Sequence, residues 1–244
     1  MSTKVLFYTP YGSWYLHSLY DITLGHSLKI RDAQVKFIGC DGVFTDCDVH
    51  WVNTAPRTSE SCKICQQSHV QVYKQLGMPL EWLGAYITEH ERKQIDQWVT
   101  SLDNLELLDA HYQDQPLGKW VESSVHSHFR MNELDMLDAE IAGAYRSYLL
   151  SAGLAWCGFN RVFDEFEPEV LFMLSGRFFS HRVAYEIAKE RGVRVYCHER
   201  GRIENTLLVL DNHTVSTFPT LTNSWQEWKN EPLNPAMMEQ IEKV

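Results

Sequence analysis

The sequence predicts an α/β fold with a Rossmann-like parallel sheet flanked by helices. Short apolar runs of strand length alternate with segments that have apolar residues at helical spacing. Two sets of these segments are spaced as βαβ units, one at each end of the chain. The 244 residues, 44% of them hydrophobic and 22% charged, are enough for a core of ordinary size, and we expect a single domain over residues 1–244.

The first βαβ unit lies at the amino terminus. An apolar run at residues 4–9 predicts a buried strand, and a glycine-containing turn follows it. Residues 14–30 have the spacing of a helix, and residues 34–39 predict a second strand.

The middle of the chain departs from this alternation. Residues 40–66 have little periodicity and predict an irregular, Cys-rich insertion, and residues 67–166 predict a largely helical segment. The predicted helices cover residues 61–76, 88–102, 117–130 and 134–166. The longest should end near Glu167, because the residue before Pro168 disfavours helix.

The second βαβ unit has strands at residues 169–174 and 193–197 with a helix at 180–191 between them, and a further strand is predicted at 206–210. Ligands of parallel sheets bind beyond the carboxyl ends of the strands. Three loops, at residues 9–14, 175–180 and 197–203, are therefore expected to meet at one edge and to form any site.

The first of these loops has a Gly12-Ser13 turn and places His17 just inside the following helix. The amino terminus of a helix can bind an anion or a sugar hydroxyl, and an imidazole there could take a proton from that hydroxyl. The alternative is that His17 packs on the sheet or is solvated.

The other two loops contribute Arg177 and Arg182, and the run His198-Glu199-Arg200. Arginines can clamp a phosphate or carboxylate through paired hydrogen bonds, and the histidine and glutamate could orient a sugar or carry a proton. The alternative is a structural ion-pair network in which Glu199 holds one of the two arginines.

The net charge of −10 argues against a general nucleic-acid binder, which needs clustered positive charge. A local basic pocket that also includes Arg202 remains compatible with it, and solubilising surface charge is the alternative. The chain lacks the glycine motifs of dinucleotide and P-loop sites and the G-x-S-x-G elbow of serine hydrolases. His126 and His128 face different directions on a helix and are predicted to be surface residues.

Cysteines in the insertion have the spacing C-x6-C-x14-C-x2-C, formed by Cys40, Cys47, Cys62 and Cys65. Four thiolates can hold a tetrahedral zinc ion, which would be structural because no coordination position stays open. Ordinary thiols, an iron–sulfur cluster or disulfides are the alternatives.

The chain begins with a predicted strand instead of an apolar leader, and no segment reaches the ~18 uninterrupted apolar residues of a membrane helix. We therefore expect a cytoplasmic protein without a transmembrane segment. A peripheral position on the inner face of the membrane stays compatible with this expectation.

Several motifs together resemble those of bacterial glycosyltransferases of capsule and surface-polysaccharide biosynthesis. The motifs are the run from Tyr8 to Trp14 with His17, Cys40-Asp41-Gly42, the Cys62/Cys65 pair, Ser175-Gly176-Arg177 and Cys197-His198-Glu199-Arg200-Gly201. The resemblance implies a GT-B fold, in which two Rossmann-like domains face each other across a cleft. This chain resembles the amino-terminal domain, which holds the acceptor, whereas the second domain binds the nucleotide-sugar donor.

The resemblance does not identify a base, and His17 is chosen for that role by its place in the loop. The expected substrate-binding residues are Gly12, Ser13, Arg177, Arg182, His198, Glu199 and Arg200. The expected partners are a sugar or glycan acceptor and a donor-binding domain or subunit. The alternatives are a non-catalytic, zinc-stabilised binding or scaffold module and a self-contained small-molecule enzyme.

Overall fold

The computed structural model describes residues 2–49, 58–201, 203, 206–217 and 219–242. A six-stranded sheet lies at the centre of these residues, with the order β3-β2-β1-β4-β5-β6. Its strands are β1 (Lys4–Tyr8), β2 (Gln34–Gly39), β3 (Glu81–Trp82), β4 (Val170–Leu174), β5 (Arg194–Arg200) and β6 (Leu207–Asp211). All neighbours are parallel except β6, which runs antiparallel to β5. The prediction of a Rossmann-like α/β fold is confirmed at this level.

Strand β1 is central, and its apolar run is uninterrupted because both faces of the sheet are covered. Val5 and Phe7 pack on one face with residues of α1 (Tyr15–Ile30) and α2 (Ser59–Gln75). Leu6 and Tyr8 alternate with them and belong to the main core on the other face.

The main core is built around a long helix, α5. The helices after α2 are α3 (Glu89–Ser101), α4 (Leu117–Phe129), α5 (Ala139–Phe166), α6 (Phe179–Glu190), α7 (Pro219–Trp228) and α8 (Pro235–Glu242). Helix α5 packs against α3, α4 and α6, and its buried face shares one apolar cluster with β1, β4 and β5. Helices α3, α4 and α5 belong to the predicted helical segment, and this layer covers the sheet opposite α1 and α2.

Two element boundaries differ from the sequence predictions because side chains cap the helices. Helix α5 begins at Ala139 instead of residue 134, since Asp138 accepts hydrogen bonds from the amides of Glu140 and Ile141 at 2.8 and 3.2 Å. It ends at Phe166 as predicted, with Glu167 in the left-handed region at φ 50°.

Helix α2 begins at Ser59, where Thr58 and Ser61 form a capping box. Cys62 and Cys65 therefore lie on a helix, and the irregular insertion is shorter than predicted. The part of the insertion at residues 50–57 lies outside the described residues.

Gly25 sets the distance between α1 and the sheet. A β-carbon at this position would overlap the ring of Phe37 on β2. The helix therefore lies close enough to the sheet for side chains on α1 to reach the strands beneath them.

Replacement of Asp138 by alanine should lower the free energy of unfolding by ~1 kcal/mol, because the first amides of α5 lose their acceptor. Urea denaturation followed by circular dichroism measures the change. Asp138→Asn is the matched control and should retain most of the stability. Equal losses in the two variants would contradict the capping role.

Candidate functional site

The loops that follow β1, β4 and β5 meet at one edge of the sheet, because these strands are parallel neighbours. The phenol oxygen of Tyr11, after β1, lies 3.5 Å from the hydroxyl oxygen of Ser180, after β4. The rings of His17 and His198 lie 5.4 Å apart between centroids. The predicted convergence of the loops is confirmed.

A buried pair of polar side chains connects α1 to β5 at this edge. Nε2 of His198 lies 2.8 Å from Oδ1 of Asp21, and the two side chains are 0% and 2% exposed. No aligned hydrogen bond joins the two atoms, so the contact is an ion pair whenever His198 is protonated. Burial raises the pKa of Asp21, and the neighbouring histidine opposes that rise. Phe172 on β4 stacks on the imidazole at 5.1 Å and closes the pair from that side.

His17 lies on the outer side of this pair and is half-buried. Burial, followed by the electrostatic effects of His198 and Arg200, lowers its pKa to about 4. Its Nδ1 is buried and has no hydrogen-bond partner among the described residues. At neutral pH the imidazole is therefore uncharged and able to accept a proton.

An aromatic wall lies beside His17 and consists of Trp14, Tyr11 and Phe178. The ring of Trp14 is 4.8 Å from Tyr11, 5.4 Å from Phe178 and 6.3 Å from His17 between centroids. Trp14 is partly exposed, whereas the other two aromatic rings are buried. One aromatic ring is thus presented to solvent next to the imidazole.

Gly12 and Ser13 occupy different environments. Gly12 is buried, and a β-carbon there would overlap the carbonyl oxygen of Cys65 on α2. Close packing of the loop on α2 therefore explains the glycine. Ser13 is exposed and is the member of this turn that a ligand can reach.

Arg177 and Arg182 lie at the β4 end of the edge, and both line a cavity of about 600 Å³ beside α4. The guanidinium of Arg177 stacks over Phe178 at 4.6 Å. Arg182 forms an ion pair with Glu186 at 2.6 Å, one turn along α6. The partner of Arg182 is therefore Glu186 and not Glu199, the residue that the ion-pair alternative named.

Glu199 and Arg200 end β5 and lie on opposite faces of it. Arg200 is exposed and contributes positive charge at His17, which places it near the imidazole. Glu199 is half-buried and accepts a hydrogen bond from the amide of Arg200 at 3.0 Å. Arg202, the remaining arginine of the predicted basic pocket, lies outside the described residues.

Sequence reasoning missed a second buried polar group under the aromatic wall. Tyr11 donates a hydrogen bond to Asp48 at 3.1 Å, and burial raises the pKa of this carboxyl to about 7. Ser175 is buried in the left-handed region at φ 56°, and its hydroxyl has no partner among the described residues. Of the buried polar residues at this edge, only Asp21 could be linked to His17 from the sequence. It lies four residues after His17, so the two share one face of α1.

The four cysteines of the insertion line one small cavity of about 20 Å³ together with Tyr11 and Phe44. None of them forms a disulfide, and burial raises the pKa of the Cys40 thiol to about 12. In the described part of the chain, no group of three or more histidine, cysteine or acidic side chains is arranged to hold a metal ion. The thiols share a cavity without forming a coordination geometry, and zinc stays a prediction.

His128 is not the surface residue that its helical position predicted. Its side chain is 8% exposed and stacks on Phe129 at 4.5 Å. His126, two residues earlier, is partly exposed and lines the same cavity as the two arginines.

A larger groove, of about 1340 Å³, lies between α1 and the face of β1, β4, β5 and β6. Its lining is dominated by apolar side chains such as Phe7, Leu16 and Val209. It lacks the converging acid–base groups of the strand edge, so we place the candidate site at the edge.

No model of a known protein family matches this chain, and no curated protein matches it. Among the helices that the structure describes, none has the length and apolar character to cross a membrane.

Acidification from pH ~6.5 to ~4 should lower the free energy of unfolding, because buried histidines stay neutral in the fold. Burial lowers the pKa of His181 to about 3 and that of His69 to about 4. The unfolded chain, with histidine pKa values near ~6.5, binds more protons in this window, so stability falls with falling pH. Asp48 opposes this loss of stability. Its pKa is raised to about 7 in the fold, so its contribution to the free energy of unfolding increases as the pH falls.

Urea denaturation across this pH range for the native chain and His181→Phe isolates one histidine. The variant should lose less stability on acidification than the native chain. His90→Asn, a change at an exposed histidine, is the control and should leave the pH dependence as it was. Parallel curves for the native chain and His181→Phe would refute the assignment.

Proposed function

We propose that the chain is the acceptor-binding half of a GT-B glycosyltransferase that acts in surface or capsular polysaccharide biosynthesis. The observation that carries the proposal is the placement of His17, a neutral imidazole at the carboxyl edge of a parallel sheet, directly outside the buried Asp21–His198 pair. Ligand sites of this sheet type lie at that edge.

In this proposal His17 takes the proton of an acceptor hydroxyl. The hydroxyl oxygen bonds to the anomeric carbon of the donor sugar, and the bond from that carbon to the nucleotide's phosphate oxygen breaks. The proton remains on His17, and the electron pair of the broken bond leaves with the phosphate. A proton on His17 brings positive charge towards His198 and Arg200, so the imidazole readily releases this proton to solvent after the transfer.

Three further residues at the same edge have roles in this proposal. Trp14 presents an aromatic face beside the base, and such a face can pack against the C–H groups of a sugar. Ser13 and Arg200 are exposed at the edge and would bind acceptor hydroxyls and the donor's phosphates. The nucleotide-sugar donor would be held by a second domain or subunit across the edge.

His198 has a different role in this proposal from the direct substrate contact expected of it. It is fully buried and paired with Asp21, so it positions His17 and shapes the charge there. Gly12, buried against α2, contributes the close packing of the loop.

We also propose that Cys40, Cys47, Cys62 and Cys65 hold a structural zinc ion. Four sulfur donors suit zinc in number and type, and all four line one cavity between the end of β2 and α2. Such a site also supports the second candidate function, a non-catalytic, zinc-stabilised binding module.

Metal analysis of the purified chain by mass spectrometry tests the zinc site. About one zinc per chain is expected from a four-thiolate site, and the double variant Cys62→Ser/Cys65→Ser should lose it. Cys197→Ser, which alters a cysteine buried in the core, is the control and should keep the metal. A native chain without metal would refute the site.

His17→Ala should lower kcat by a factor of ~10²–10⁴, the usual contribution of a general base. The measurement is release of nucleotide from a panel of nucleotide sugars, with a glycan acceptor and the donor-binding domain or subunit present. His26→Ala, on the same helix and away from the edge, should keep full activity. Unchanged turnover in His17→Ala would remove this residue from the mechanism.

The same assay gives a pH signature. The acid limb of kcat/KM should lie near the His17 pKa of about 4 and should move to higher pH in Arg200→Gln, which removes a positive charge near the imidazole. If the native chain shows no sugar binding and no transfer while the metal site is intact, the zinc-stabilised module becomes the better candidate.

A further inference from the structure

We infer that the cavity between α4 and the loop after β4 is an oxyanion site, which takes a carboxylate or phosphate group. The assignment of that anion to the acceptor glycan rests on the proposed function, whereas the anion site itself does not. The sequence predicted that Arg177 and Arg182 bind an anion. The cavity adds Lys119 and Arg130 on its α4 side, which the sequence motifs did not include.

The cavity has a volume of about 600 Å³, a size that suits a sugar-sized ligand. Its permanently charged lining residues are Lys119 and Arg130 from α4 and its end, Arg177 and Arg182 from the β4 side, and Glu122. Four cations thus face one carboxylate, although the chain as a whole carries a net charge of −10. This local reversal of sign favours an anionic ligand.

Part of this positive charge is already neutralised by the protein. Lys119 lies 3.2 Å from Asp109, and Arg182 lies 2.6 Å from Glu186. Glu122, the carboxylate in the lining, lies 3.6 Å from His126. These pairs leave Arg130 and Arg177 as the ligand-binding cations.

Arg177 and Arg130 have no carboxylate at ion-pair distance among the residues that the structure describes. Asp48 acts on Arg177 only through longer-range attraction from the buried side. The ring of Phe178 supports the Arg177 guanidinium at 4.6 Å, which keeps its planar donors oriented. Nε of Arg182 is buried and has no hydrogen-bond partner among the described residues. An oxyanion supplies the acceptors that these groups need.

A continuous aromatic path joins this cavity to the proposed base. Arg177 stacks on Phe178, Phe178 contacts Trp14 at 5.4 Å, and Trp14 contacts His17 at 6.3 Å. A glycan held by its anionic group in the cavity would pass over Trp14, the solvent-facing ring of the wall, to reach His17. Under the proposed function, the acceptor is an acidic glycan.

Isothermal titration of the full chain with sodium glucuronate and, separately, with inorganic phosphate tests the site. We expect saturable binding of at least one anion that weakens with added salt. Arg177→Gln and Arg130→Gln should each weaken it at least ~10-fold, the effect of a lost charge-assisted contact. Lys93→Gln removes an exposed cation elsewhere and should leave binding unchanged. Arg130 is exposed, so its variant stays informative if Arg177→Gln fails to fold.

The two anions distinguish a uronate-like group from a phosphate as the preferred ligand. No binding of either anion, or equal binding in both arginine variants and the native chain, would overturn the inference. His17→Ala should bind the anion normally, because it lies outside the cavity. Anion binding without sugar transfer would support the oxyanion site and refute the proposed function. Sugar transfer without anion binding would support the proposed function and refute the oxyanion site.

Discussion

The contact between Asp21 and His198 fixes α1 to β5, and the geometry of the whole strand edge depends on it. The two side chains are buried within 2.8 Å of each other, far from compensating water. Loss of one partner from a buried pair leaves an uncompensated polar group and typically costs ~3–5 kcal/mol. The pair therefore requires α1 to lie close to the sheet, which Gly25 allows one helical turn after Asp21. His17 is positioned as a consequence, one helical turn before Asp21.

The groups buried at the strand edge favour their neutral forms, whereas the charged arginines lie at its solvent-exposed rim. The fold excludes water from the inner residues of the edge, so Asp21 and Asp48 have raised pKa values and His17 and His181 lowered ones. The cations lie around the rim, where Arg177 and Arg200 are reachable from solvent. An acidic protein thus presents a locally positive edge, and this is the charge pattern that an anionic substrate requires.

The strands and helices were largely readable from the sequence, because buried strands are continuous apolar runs and the helices have periodic apolar faces. Strand β3 was missed, since Glu81–Trp82 is too short to form a pattern. Side-chain contacts between residues far apart in the sequence could not be predicted from it. Nothing local to His198 indicates Asp21, and nothing local to Tyr11 indicates Asp48. All four cysteines of the insertion line one cavity, but coordination geometry depends on side-chain directions that the spacing does not specify.

The choice of His17 over the other histidines of the edge follows from access and pairing. His181 is fully buried with both ring nitrogens unpartnered in the described structure, so no acceptor hydroxyl can reach it. His198 is fully buried behind Asp21 and Phe172. His69 is buried beside Ser18 at 3.3 Å. His17 combines partial exposure with a low pKa and contact with the buried pair. A general base must be reachable by the hydroxyl and uncharged before the reaction, and among these four histidines His17 meets both conditions.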